Sequence, residues 1–204
     1  MSHLLVFTKK EINESWRTSK FLILVIIFLL FGVMNPLVAK FTPELLKMAG
    51  GGLKIELPAP TSMDSWTQFY KNINQMGLFV LALLFSGTVS QEVSSGTLVN
   101  LVTKGLKRWT VILSKFLNLF VQWTICLALC FGVTWGYTGY YFPDDLTPHL
   151  VAGVVPVWIF GVFLLALIIF GSTIARNAYE GLLITGASVV LLAIISILPK
   201  TKYY

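Results

Sequence analysis

The charged residues of this chain are spaced so that five long intervals hold none at all. They lie between Lys20 and Lys40, Lys71 and Glu92, Lys115 and Asp144, Asp145 and Arg176, and Glu180 and Lys200. Each is close to or longer than the roughly 20 residues an α-helix needs to cross the hydrocarbon core of a bilayer. In hydrocarbon a backbone must satisfy its own N–H and C=O groups, which leaves only helices or closed barrels. Barrel strands would alternate in polarity over about ten residues, whereas Phe21 to Phe31 is apolar at every position. The expected fold class is therefore all-α, a polytopic transmembrane helical bundle with five spans visible. The composition, 56% hydrophobic and 12% charged, excludes an ordinary soluble domain, in which roughly 25% of residues are charged. The first interval is expected to persist in the mature chain. It begins only at Phe21 and ends in Asn35-Pro36 without a small-residue cleavage pattern.

Orientation follows from the loops. A cytoplasmic N-terminus places Lys9, Lys10, Arg17, Lys20, Lys104, Lys107, Arg108, Lys115 and Arg176 inside, and leaves the segment from Thr138 to His149, with Asp144 and Asp145 and no Lys or Arg, outside. That is the asymmetry of the positive-inside rule, although Lys40, Lys47, Lys54 and Lys71 fall in the first outer loop. Aromatic residues mark both interfaces: Trp16 and Trp109 on the inner side, and Trp66, Tyr70, Tyr137, Tyr140, Tyr141 and Tyr203 on the outer. The net charge of +6 is explained by these membrane flanks. No basic cluster is long enough to track nucleic acid, so no nucleic-acid partner is expected.

Residues 1–20 read as an N-terminal interfacial helix, with Leu5, Ile12 and Trp16 on one side and Lys9, Lys10, Glu14 and Arg17 elsewhere. Residues 21–204 form the transmembrane domain, with an outer loop at 40–72. In that loop Gly50-Gly51-Gly52 ends any helix carried by Glu44 to Met48, and Thr61-Ser62-Met63-Asp64 offers caps for a short helix leading into the second span. The inner segment 91–115 carries a short apolar run, Leu98-Val99-Asn100-Leu101-Val102, between Gly96-Thr97 and the basic Lys104 to Arg108. Water alone would not favour its exposure, so the membrane surface, a partner protein or the chain's own bundle must cover it.

At this segment the chain resembles the ABC-2 family of bacterial transporter permeases. That family has a Glu shortly before Gly-Thr-Leu after the second span, then a linker, a basic residue and a Lys opening the third span. Here those elements are Glu92, Gly96-Thr97-Leu98, Arg108 and Lys115. The end of the first span, Asn35 to Leu45, and the stretch from Leu57-Pro58 to Asp64 are similar too. The linker departs from the family by having Lys104-Gly105-Leu106-Lys107 where a proline is common. The resemblance implies a permease subunit that pairs with a second permease subunit, as a homo- or heterodimer, and with cytoplasmic ABC ATPase subunits, and that moves its substrate outward by alternating access. It implies a bacterial cell-membrane location among membrane lipids and an ATPase-coupling role for Glu92, Gly96, Thr97, Leu98, Leu101, Val102 and Arg108. Permeases of this family usually have six spans, so a sixth span beyond Tyr204 is expected.

The remaining chemistry narrows the function. No Gly-x-x-x-x-Gly-Lys-Ser/Thr occurs, so the chain is expected to be no enzyme and to hold no cofactor, with ATP and Mg bound by the partner subunit. The apolar intervals contain no carboxylate or cation that could serve intramembrane catalysis, and His149 lies in an outer loop. Cys126 and Cys130, four apart in the third interval, read as helix-packing residues rather than a metal or redox pair. Asn118 and Gln122, one turn apart, are candidates for a substrate path, and otherwise serve as interhelical hydrogen-bonding groups. Asn35-Pro36 and Pro156 are expected to kink their helices, and Gly161, Gly171, Gly181 and Gly186 to allow close helix contact. An uncharged helical wall suits an amphipathic peptide, a lipid or a drug-like molecule. The competing reading is a non-transporting membrane scaffold or sensor that recruits a cytoplasmic protein through the same inner segment, and a membrane enzyme ranks third.

Overall fold

The computed structural model describes residues 2–49, 59–97, 103, 107–143 and 150–197. Among them all regular structure is helical: α1 (Ser2–Arg17), α2 (Lys20–Ala49), α3 (Ser62–Asn72), a π-helical turn (Ile73–Gly77), α4 (Leu78–Phe85), α5 (Ser90–Ser94), α6 (Arg108–Tyr141), α7 (Leu150–Ile174) and α8 (Ala178–Ile197). Among the described residues, four stretches are long and apolar enough to cross a membrane: Lys20–Glu44, Ser62–Ser94, Arg108–Tyr141 and Leu150–Ile174. They coincide with the first four charge-free intervals. The fifth interval falls on α8, a 20-residue helix whose described apolar stretch runs Ala178–Leu192. The long helices carry many exposed large apolar side chains, Leu22, Ile23, Ile26 and Leu30 on α2 and Ile159, Phe163 and Phe170 on α7 among them. Water would penalise that surface and lipid would not.

The helical ends agree with local sequence chemistry. α2 runs on through Pro36 and Pro43 to Ala49, so its last turns occupy the first part of the segment expected to be outer loop. Its end lies immediately before Gly50, the first of the three glycines. α3 begins at a capping box in which Thr61 and Asp64 exchange backbone and side-chain hydrogen bonds, the Thr61 N–H donating to Asp64 Oδ2 at 2.9 Å. α8 begins in the same manner: the Glu180 N–H donates to Asn177 Oδ1 at 2.9 Å, and Glu180 Oε2 accepts from the Arg176 N–H at 2.8 Å. Between α1 and α2, Ser19 takes a left-handed φ of 57° and turns the chain sharply.

The chain divides into two compact units. One comprises 14–80 and 120–162. Its core is aromatic: Phe28 meets Trp123 edge-on at 5.8 Å, and Phe131 packs on Trp66 at 5.3 Å and Phe69 at 6.3 Å. Gly161 abuts the Trp123 indole and leaves no room for a Cβ. Neutral polar groups join α2, α3 and α6. Gln68 Nε2 donates to Asn72 Oδ1 at 3.3 Å, Asn72 Nδ2 to Asn35 Oδ1 at 2.7 Å, Asn35 Nδ2 to Thr134 Oγ1 at 3.3 Å, and Thr134 Oγ1 to the Gly32 carbonyl at 3.2 Å.

The other unit comprises 1–13, 81–119 and 163–204. Here small residues let backbones approach. A Cβ on Gly181 would collide with the Ser86 carbonyl, one on Gly171 would crowd Thr185 and the Gly181 carbonyl, and one on Gly87 would meet Ala178. Close contact is therefore found at Gly161, Gly171 and Gly181, whereas Gly186 has open space around it.

Candidate functional site

α1 presents Phe7 and Glu11, one turn apart, as its buried face. The apolar stripe expected to meet the membrane lies beside that face: Ile12 is half-buried and Trp16 exposed. Trp16 stands edge-on to Phe21 at 5.0 Å. A carboxylate on the inward face of an otherwise basic helix needs a reason, because a buried charge without a partner costs several kcal/mol.

The reason is Lys115, on the second turn of α6. Its Nζ donates to Glu11 Oε2 at 3.0 Å and to Glu92 Oε1 at 2.7 Å. The three side chains are 3%, 7% and 18% exposed for Lys115, Glu11 and Glu92. Asn118, on the next turn of α6, reinforces the contact by donating to the Glu11 carbonyl at 3.4 Å. Glu92 is placed by α5, whose start is fixed to α7: the Val89 and Ser90 N–H groups both donate to Ser172 Oγ, at 2.9 and 3.1 Å. Beyond α5, Gly96 turns the chain with φ +72°, a conformation that strains any other residue, and Thr97 Oγ1 reaches back to the Glu92 carbonyl at 3.1 Å. Three elements far apart in sequence, α1, α5 and α6, thus converge on one ammonium.

The cluster is not charge-balanced. Two carboxylates share one ammonium, and Glu11 Oε1 and Glu92 Oε2 are buried without a hydrogen-bond partner among the described residues. Burial pushes the Glu11 carboxyl above the ordinary glutamate range. The attraction and hydrogen bond of Lys115, and then Lys10, lower it, Glu92 adds to the rise, and the net shift is upward.

Comparison with known proteins now bears on this geometry. The family described as ABC-2 family transporter protein matches residues 5–200. This chain belongs to the ABC-2 transporter family. The ABC-2 chain is also 24% identical over 182 residues, 87% of its length and 70% of the relative's, to the uncharacterized transmembrane protein YxlG of Bacillus subtilis (strain 168). No solved structure matches it. Membership makes the chain a multi-pass membrane component of a transporter, the part distinct from the ATPase.

Within this ABC-2 chain the residues singled out from the sequence fall into three groups. Glu92 and Lys115 are brought together, with Gly96 and Thr97 shaping the exit from α5. Arg108 opens α6 and is exposed to solvent, while Leu98, Leu101 and Val102 lie outside the described residues. Asn118 and Gln122 are both buried, at 4% exposure, and the Asn118 amide donates to the Glu11 carbonyl. Cys126 and Cys130 are buried free thiols. The functional residue that sequence reasoning missed is Glu11. Its signal was there in the charge inventory, since a lysine at the edge of an apolar interval needs carboxylates, and on the assigned inner side only Glu11, Glu14, Glu92 and Glu180 could supply them.

Proposed function

We propose that this chain is the membrane-spanning permease subunit of an ATP-driven exporter, and that segment 91–115 is the element through which a separate cytoplasmic ABC ATPase drives it. The reading rests on family membership and on one observation above all, the convergence of α1, α5 and α6 on Lys115. An ion pair of 2.7 Å between α5 and α6 is a stiff link between the start of the coupling segment and the third span. A shift of Glu92 on ATP binding is carried to α6 through Lys115 and to α1 through Glu11. ATP and Mg are held by the partner, and a second permease subunit completes the pathway. In this reading the N-terminus is cytoplasmic, the membrane is the bacterial cell membrane, and the cargo is an amphipathic peptide, lipid or drug-like molecule moved outward by alternating access.

The test is Leu101→Asp. If Leu98, Leu101 and Val102 dock on the ATPase, an aspartate there places an unpaired charge in the contact, at a cost of several kcal/mol. The chain should still insert into membranes, while copurification of the ATPase drops at least tenfold, or its activity ceases to respond to the permease. Copurification at the wild-type level together with unchanged export would remove the segment from the coupling role.

A further inference from the structure

We propose that the Glu11–Lys115–Glu92 cluster is a proton-binding site, in which Glu11 is the carboxyl that takes the proton and Glu92 holds the closer contact to Lys115. The geometry distinguishes the two carboxyls. Glu92 makes the shorter contact to Nζ, 2.7 Å against 3.0 Å, and its side chain is less buried, keeping 18% of its surface. Glu11 keeps only 7%, and its second oxygen, Oε1, is buried with no hydrogen bond among the described residues. A carboxylate must find donors for its lone pairs, whereas a carboxylic acid turns one of those oxygens into a donor. One proton on Glu11 therefore removes the excess charge of the cluster.

The surroundings favour the same state. Among the described residues the charges that act on Glu11 are Lys115 of α6, Glu92 of α5 and Lys10 of α1 itself, and burial is the largest single influence. Like-charged carboxyls sharing one site are a recognised setting for a retained proton. The consequence is directional. Folding that holds a proton on Glu11 beyond the pH at which an unfolded chain would release it makes the folded state bind more protons, so stability falls as pH rises towards and through the raised value. Ionisation leaves the cluster with a net negative charge and weakens the grip of α1. The inference concerns the cluster itself and holds whichever protein docks on this side.

The experiment is infrared difference spectroscopy on the full chain in lipid nanodiscs, with thermal unfolding followed over pH. The wild type should show a protonated-carboxyl stretch that persists above the pH range of an ordinary glutamate and that Glu11→Gln removes. Glu11→Gln, a mimic of the protonated acid, should also flatten the decline of thermal stability with rising pH. Should Glu11→Gln fail to accumulate, Glu92→Gln decides: with the neighbouring carboxyl gone, the Glu11 band should vanish at a lower pH than in the wild type. No such band in the wild type, a band untouched by Glu11→Gln, or a band whose pH range Glu92→Gln leaves unchanged overturns the proposal.

Discussion

The unit formed by 14–80 and 120–162 ties its helices together with neutral groups, whereas the unit formed by 1–13, 81–119 and 163–204 does so with charge. In the first, the run from Gln68 through Asn72, Asn35 and Thr134 to the Gly32 carbonyl pairs donor with acceptor at every step, and Ser65 Oγ and Thr138 Oγ1 share a further bond at 2.7 Å. In the second, two carboxyls compete for one ammonium and two of their oxygens are unmatched among the described residues. A satisfied neutral network fixes one packing and is indifferent to pH and to small shifts of charge. An unbalanced charged cluster has states of similar energy and responds to whatever changes its charge or separates its members. The first suits a permanent joint, the second a transmitting one, and the second includes the start of the proposed coupling segment.

The largest effect that would break this contrast is expected from Lys115→Met. It leaves Glu11 and Glu92 facing each other without a cation, and removing one member of a buried charge cluster costs about 3–5 kcal/mol. Thermal unfolding in nanodiscs near neutral pH should show a large loss of stability, partly recovered in acid. Equal stability of wild type and variant near neutral pH would mean that the cluster carries no strain of charge.

A smaller loss is expected from Asn35→Leu, which removes the centre of the neutral run and leaves Asn72 Nδ2 without its acceptor and Thr134 Oγ1 without its donor. An unsatisfied buried group costs about 1–3 kcal/mol, and polar contacts between membrane helices average about 0.6 kcal/mol, so a loss of about 1 kcal/mol is expected. The sharper part of the prediction is its pH profile. The loss should be the same in acid and near neutral pH, unlike that of Lys115→Met, and a pH-dependent loss would erase the distinction between the two units.

Much of this architecture was legible in the spacing of charges, because a bilayer tolerates so few of them. The intervals beginning after Lys20, Lys71, Lys115 and Asp145 lie on the four spanning stretches, and Thr61 to Asp64 announced the cap of α3. The fifth interval lies on α8, whose start is capped by Asn177 and Glu180. The candidate site was half legible. Glu92 and Lys115 stand in a motif with local order, whereas Glu11 joins them only through folding, 104 positions from Lys115 in sequence. Periodicity in α1 pointed to Leu5, Ile12 and Trp16, and the face that turns inward, Phe7 and Glu11, is set by the position of a cation on another helix. The neutral run was hidden for the same reason: nothing local distinguishes Asn35, which precedes a proline, from a residue at a kink.

The smallest effect separates tight from open helix surfaces within the neutral unit. Gly161 and Gly132 both sit inside long helices, where alanine is intrinsically better than glycine by up to about 1 kcal/mol. Their surroundings differ. A Cβ at Gly161 would enter the space of the Trp123 indole, and Trp123 has little freedom to yield. It is fully buried, meets Phe28 edge-on and donates from Nε1 to the Trp158 carbonyl at 3.2 Å. Overpacking of a filled site costs about 1–3 kcal/mol, so Gly161→Ala should lower the unfolding temperature and alter the near-ultraviolet circular dichroism. Around Gly132 no atom lies within 4 Å of an added Cβ, so Gly132→Ala should keep or slightly raise the unfolding temperature and leave the aromatic signal unchanged. Equal behaviour of the two variants would mean that the contact between α6 and α7 at Trp123 is loose, and that neutral joints in this unit rest on hydrogen bonds more than on close packing.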